Sequence, residues 1–330
     1  MRVILLLGAG FCVPAGLPIG AALFDSAPAP HSRKATCAVE RTLSAWHRWR
    51  AENPESPAEC FISDVFQSTS TENLTLWPSL IRFLGYRLAE PFATFYRYEN
   101  RTSRSRDNLF EARLCAAHDA WWEAVLTNVG PDDQLSVITT NWDIWIERAL
   151  RPRPMPRSRR PGFHYGWGAE KLEATTAYPR SPWRKEPYIH GSVPLLKLHG
   201  SLSWSVEGDR LLKYGDLRPA FRGDVAIVPP LRYKVPPSWA GDLWQMAKDA
   251  LARATHVVVV GYSFPAYDDR LERLFREALS QSNPDVHVFD PNADEICARL
   301  DQLIGVSLSF PHAGLPEGIP AVQAILSGAS

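Results

Sequence analysis

Three polar residues stand directly behind apolar runs in this 330-residue chain, and their types suit proton transfer and the holding of a polar ligand. Asn141 follows "LSVITT" (135–140); its carboxamide can both donate and accept, which fits a bound water or sugar hydroxyl, although an Asx turn or helix N-cap ahead of "WDIWIERAL" is the alternative. Asp143, two residues on, is either a ligand contact or a first-turn acid favoured by the helix dipole. His199 ends "LLKLHG" (195–200), where a neutral imidazole could take a proton near neutral pH. A second His-Gly-Ser string begins at His190, but a proline-broken segment precedes it and only His199 carries the trailing "LSW", so His199 is the expected base.

A fourth feature is the glycine turn. "RVILLL" (2–7) runs straight into Gly8-Ala9-Gly10-Phe11, where Gly8 permits a sharp turn and Gly10 would let backbone amides approach a pyrophosphate. A dinucleotide fingerprint would start its helix at once. Here "FCVPAGLPIG" intervenes, and Pro14 and Pro18 are expected to keep it out of helical geometry as a mobile loop.

The elements that must position these residues are short continuous apolar runs bounded by turn residues. Besides 2–7, 135–140 and 195–200, they are "VAIVPP" (225–230), "THVVVVGYS" (255–263) and "VHVFDP" (286–291), with "VSLSF" (306–310) as a further candidate. Such runs predict strands covered on both faces, and ligands of open α/β sheets sit at the carboxyl ends of the strands. The expected fold is therefore α/β: a Rossmann-like parallel sheet flanked by helices, in a single domain over 1–330. Helix-spaced apolar residues near 35–51, 73–98 and 107–128 predict a helical insertion between the first two strands, over 20–130. A second insertion, 151–190, opens with the basic, proline-rich "RPRPMPRSRRPGFHYGWG" and is expected to be a loop whose arginines face solvent or meet a partner.

Composition excludes several classes. Lys plus Arg equals Asp plus Glu at 36 each, so no global field draws the chain to nucleic acid or to an anionic membrane. The five cysteines, Cys12, Cys37, Cys60, Cys115 and Cys297, stand apart without a CxxC pair, which argues against a zinc ribbon or disulfide framework and fits a reducing cytoplasm. The first apolar run is too short for a leader or a span and is expected to be a buried strand.

Taken together, "GAGFCVPAGLP", "TTNWD", "KLHGS", "GYS" and "FDPN" resemble the sirtuin pattern in its own order, from residue 3 to about 300. Two departures stand out: the Asp-Phe-Arg that follows the G-x-P of deacylase sirtuins is missing, and so is their four-cysteine zinc module. "LPIGAALF", "TTNWDIWIERAL", "KLHGSLSW" and "VVVVGYSFPAYDDRLERLF" are instead similar to a bacterial sirtuin-like branch associated with antiviral defence, whose activity is consumption of NAD.

The resemblance implies NAD as substrate, no metal, and hydrolysis to nicotinamide and ADP-ribose. Asn141 would position the ribose and a water, His199 would act as base, and Asp143 would hold the nicotinamide carboxamide. Gly8, Ala9, Gly10, Phe11, Cys12, Gly16, Thr140, Gly261, Ser263 and Asn292 would contact the cofactor. Cys12 is also readable as a simple packing residue and Asn292 as a turn asparagine, while Asp268 is expected to cap the helix that starts at Asp269. Such an activity needs restraint, which is expected from a homo-oligomer or a partner protein, a motor ATPase or a short Argonaute-type sensor. Protein deacylation, ADP-ribosyl transfer, and a non-catalytic NAD- or ADP-ribose-binding subunit are the competing readings.

Overall fold

The computed structural model describes residues 1–28, 33–68, 70–99, 107–130, 132–150, 163–165, 193–207, 210–213, 218–223, 225–228, 237–265, 267–305 and 309–328. Its strands are β1 (Arg2–Leu7), β2 (Gln134–Thr139), β3 (Phe163–His164), β4 (Val193–Lys197), β5 (Gly200–Ser201), β6 (Trp204–Glu207), β7 (Arg210–Lys213), β8 (Ala226–Ile227), β9 (His256–Val260), β10 (Asp285–Phe289) and β11 (Ser309–His312). The helices are α1 (Arg33–Glu52), α2 (Ala58–Gln67), α3 (Thr71–Glu99), α4 (Asp107–Asn128), α5 (Trp145–Leu150), α6 (Arg218–Arg222), α7 (Ser238–Leu251), α8 (Asp269–Ser282), α9 (Ala293–Ile304) and α10 (Ile319–Ser327).

Seven strands form one parallel sheet in the order β11-β10-β9-β1-β2-β4-β3. Side chains alternate across a strand, so β1 sends Val3, Leu5 and Leu7 to one face and Ile4 and Leu6 to the other, and both sets are buried. The first face packs under α1 to α4, which lie between β1 and β2, together with α5 and α10. The second is covered by α7, α8 and α9; α8 turns Leu271, Leu274, Phe275, Ala278 and Leu279 inward, the i, i+3, i+4 spacing of a one-sided helix.

Two local expectations are corrected. Among the described residues the run at 225–230 yields β8, which lies outside the main sheet and pairs antiparallel with β5. The segment after Gly10 is not an open loop: Ala9–Ala15 forms a 3-10 helix with Pro14 inside it, closed by Gly16 at φ 81°. A 3-10 turn tolerates this proline because short i→i+3 turns need few N–H donors. Nor is the segment loose, since Phe11 sets its ring edge-on to His118 and Trp122 of α4 at 4.6 and 6.3 Å. His190, most of the 151–190 insertion and residues 306–308 lie outside the described residues.

At the far edge of the sheet, His256 on β9 stacks on His287 of β10 at 6.3 Å, and His287 Nδ1 meets His312 Nε2 at 3.1 Å. Burial, then the neighbouring His312 and His256, pull the His287 imidazole down to about 4 against the opposing pull of Asp285. An unfolded histidine titrates near about 6.5, so between these values the unfolded chain binds the extra proton. The stability from this neutral histidine is complete above about 6.5 and is lost as pH falls toward 4. Calorimetric melting temperatures are expected to fall across that window in the parent and to fall less in His287→Gln.

Candidate active site

β1, β2, β4, β9 and β10 all release the chain at one edge of the sheet, and the strand order reverses at β1, with β2 and β4 on one side and β9 and β10 on the other. A crevice opens at such a switch point. It holds a cavity of about 670 Å³, within the range typical of small-molecule sites. Asn141, Asp143 and His199 all line it, arriving from β2 and β4, together with Ala9, Gly10, Cys12, Thr140, Gly261, Ser263 and Asn292. Gly8, Phe11 and Gly16 do not. Gly8 is buried beneath the turn, Phe11 spends its ring on the core, and Gly16 serves as the left-handed cap of the 3-10 helix.

The glycines have a packing reason. A Cβ on Gly8 would stand 2.4 Å from the Gly261 carbonyl oxygen, and one on Gly10 2.8 Å from Gly261 Cα. Gly10 N–H donates to the Gly261 oxygen at 2.9 Å and Gly8 N–H to Val260 O at 3.0 Å. The expectation that Gly10 frees amides for a pyrophosphate is thus corrected for its own N–H, which is already used to join the β1 and β9 turns. Gly261, at φ 61°, would place a Cβ 2.2 Å from Phe11 N. Gly261→Ala combines a left-handed penalty with backbone overlap and is expected to cost about 3 kcal/mol in denaturant titration.

Asn141 is held from several directions. Thr139 Oγ1 donates to Leu7 O at 2.7 Å and accepts Asn141 N–H at 3.0 Å, while Asn141 Nδ2 donates to Gly8 O at 2.9 Å. The same Nδ2 approaches Cys12 Sγ at 3.4 Å. Among the described residues no group donates to Asn141 Oδ1, which leaves that oxygen for a ligand. Asp143 fills the role considered for its neighbour: its Oδ1 accepts Trp145 N–H at 2.7 Å at the start of α5. Its Oδ2 accepts the Cys12 thiol at 3.4 Å. Burial and then the Asp143 charge push the Cys12 thiol well above its ordinary range, so it stays protonated and fits the packing reading.

Under this loop lies a buried ion pair. Lys197 Nζ, wholly enclosed, meets Glu147 Oε1 at 2.8 Å and donates to the Asp143 carbonyl oxygen, while Tyr165 Oη donates to Glu147 Oε1 at 3.2 Å. A lysine inside the apolar run "LLKLHG" was a legible sign of a buried partner, but not of which one.

His199 is 5% exposed, and burial draws its imidazole below the ordinary value against the pull of Asp268. It is therefore neutral at pH 7 and able to accept a proton. Gly200, at φ 78°, turns the chain sharply after it, with a Cβ position only 2.0 Å from Ala226 O. Asp268 corrects the sequence reading: it stands at the N-cap position of α8, yet its side chain makes no capping bond. Its carboxylate accepts Tyr262 Oη at 2.7 Å and faces His199 Nε2 at 3.7 Å. Across the cavity, Tyr267 and Glu59 of α2 hydrogen-bond to each other, and burial followed by this carboxylate raises the Tyr267 phenol above its ordinary range. Tyr262, Glu59 and Tyr267 were not singled out from sequence. Among the described residues no group of three or more His, Cys, Asp or Glu stands together as metal ligands.

The SIR2-like domain profile matches residues 135–308. Among solved structures, the chain is similar to a Sir2 enzyme described for its mechanism and regulation, at 12% identity, 99% of this chain, 92% of that chain and a TM-score of 0.41. It is similar to a Sir2 homologue variant in complex with ADP-ribose at 15% identity, 99% and 92% coverage and a TM-score of 0.38. A Sir2 bound to an inhibitor, 2′-O-acetyl-ADP-ribose and a deacetylated peptide gives 12%, 99%, 93% and 0.34. Curated protein sequences give no match.

Proposed function

The chain belongs to the SIR2-like domain family, and from that premise we propose that it hydrolyses NAD to nicotinamide and ADP-ribose. The observation that supports this most is the meeting of Asn141 and His199, from separate crossovers, at one cavity that Ala9 and Gly10 also line. In this reading the bond between ribose C1′ and the nicotinamide nitrogen breaks, its electron pair leaving with nicotinamide. Asn141 Oδ1 orients a ribose hydroxyl and the attacking water, whose proton passes to neutral His199 as the new C1′–O bond forms. Asp143 takes the carboxamide, exchanging its weak contact with the Cys12 thiol for a stronger amide donor. Gly261, Ser263 and Asn292 hold the phosphate and adenosine end.

The same reading makes the protein an effector that depletes NAD in antiphage defence, restrained in the cytoplasm by its own oligomer or by a partner such as a motor ATPase or short Argonaute-type sensor. Chromatography of NAD incubated with the purified protein, alone and with the product of a neighbouring gene, is expected to show nicotinamide and ADP-ribose in equal amounts. No nicotinamide in either mixture overturns the proposal. An acyl-peptide consumed with NAD would point to deacylation, and intact NAD recovered from a tight complex to a binding subunit.

A further inference from the structure

The cavity contains an acid that neither the proposed chemistry nor helix capping uses. Asp268 is 2% exposed, and a carboxylate so desolvated requires hydrogen-bonded partners. It occupies the N-cap position of α8 without making the capping bond that this position favours. Instead Tyr262 Oη fixes Oδ2 at 2.7 Å, and the second oxygen, Oδ1, is turned to His199 Nε2 at 3.7 Å.

We propose that Asp268, oriented by Tyr262, is the positioning residue of His199: it holds the imidazole as the Nε2–H tautomer, so that Nδ1 is the proton acceptor. The geometry carries the tautomer; the catalytic consequence rests on the glycohydrolase reading. A neutral imidazole has one N–H and one lone pair, so whichever nitrogen faces the carboxylate must carry the hydrogen. When Nδ1 takes a proton from water, the imidazolium forms in an enclosed site, where an unpaired charge is costly and the adjacent Asp268 stabilises it. The separation of 3.7 Å is long for a hydrogen bond and is expected to shorten as that charge develops.

The other groups facing His199 do not provide this. Arg270, two residues on in the first turn of α8, opposes protonation of the histidine and lies over the Trp244 ring at 4.3 Å. From α7 the histidine meets that same indole, at 6.0 Å. Burial lowers the His199 pKa and Asp268 raises it, so removing the charge of Asp268 should lower it further.

Nitrogen-15 NMR of the histidine-labelled full chain, with the His199 signals assigned through His199→Gln, reads this directly. The expected result is an Nε2–H tautomer in the parent, with the His199 titration moving down by about one pH unit in Asp268→Asn. Tyr262→Phe is expected to move it in the same direction by less. In nicotinamide-release assays Asp268→Asn should lower kcat by about 10²-fold and carry the acid limb of kcat/KM to lower pH. An Nδ1–H tautomer in the parent overturns the proposal even if neither Asp268→Asn nor Tyr262→Phe folds, and so does a His199 titration unchanged by Asp268→Asn. The expected tautomer and shift in a protein that releases no nicotinamide would support the positioning and overturn the glycohydrolase reading alone.

Discussion

Asn141→Ala is expected to lower the rate of nicotinamide release by about 10²–10³-fold, a loss of about 3–4 kcal/mol in transition-state stabilisation. The reason is the way the amide is mounted. Nδ2 is anchored on Gly8 O at 2.9 Å, and the backbone N–H is tied through Thr139 Oγ1 to Leu7 O, so the turn after β1 and the end of β2 both fix where Oδ1 points. An acceptor held this rigidly needs little reorganisation when positive charge develops on the ribose. Alanine removes the acceptor and also leaves Gly8 O without that donor, which should lower folding stability by only about 1–2 kcal/mol. Measuring kcat beside the melting temperature separates the two effects. Asn141→Asp is the sharper control: it keeps the shape but turns an oxygen toward Gly8 O, so the anchor is lost while a ligand acceptor remains. A full rate in Asn141→Ala would assign the residue to joining the turns alone.

Lys197→Met is expected to remove about 3–5 kcal/mol of stability at neutral pH in urea titration. The substitution leaves Glu147 buried beside an apolar chain, with Tyr165 Oη still on Oε1 and, among the described residues, no partner for Oε2. Burial already raises the Glu147 pKa, and Lys197 is the main influence holding it down. In the variant the carboxyl therefore protonates on folding, and the sign of its linkage is fixed: its folded pKa lies above its unfolded one, so the deficit is smallest at acid pH and grows as pH rises. Replacing both partners, as Lys197→Met with Glu147→Leu, removes the stranded charge and should recover most of the loss. Activity need not return with stability, because Lys197 also donates to the Asp143 carbonyl and so sets the loop that carries Asn141.

Much of the site was legible as letters because strand ends and turn residues are local signals. Continuous apolar runs marked β1, β2, β4, β9 and β10, and the groups behind them, "GAG", "TTNWD", "KLHGS", "GYS" and "FDPN", are those that face the cavity. Where local signals conflicted, the reading went astray. Two prolines suggested an open loop after Gly10, yet the burial of Phe11 against His118 and Trp122 closed it into a 3-10 helix.

The chain's periodicity and turn chemistry determined by themselves that strands would end in polar groups, because those preferences act over a few residues. Only the tertiary structure decided which of these groups meet. Gly8 and Gly10 are required by the approach of Gly261 from β9, Lys197 by Glu147 of α5, and the face of His199 by an aspartate that any local rule assigns to a helix cap. Such pairings depend on sheet order and register across crossovers, and those are set by the whole core rather than by neighbours in sequence.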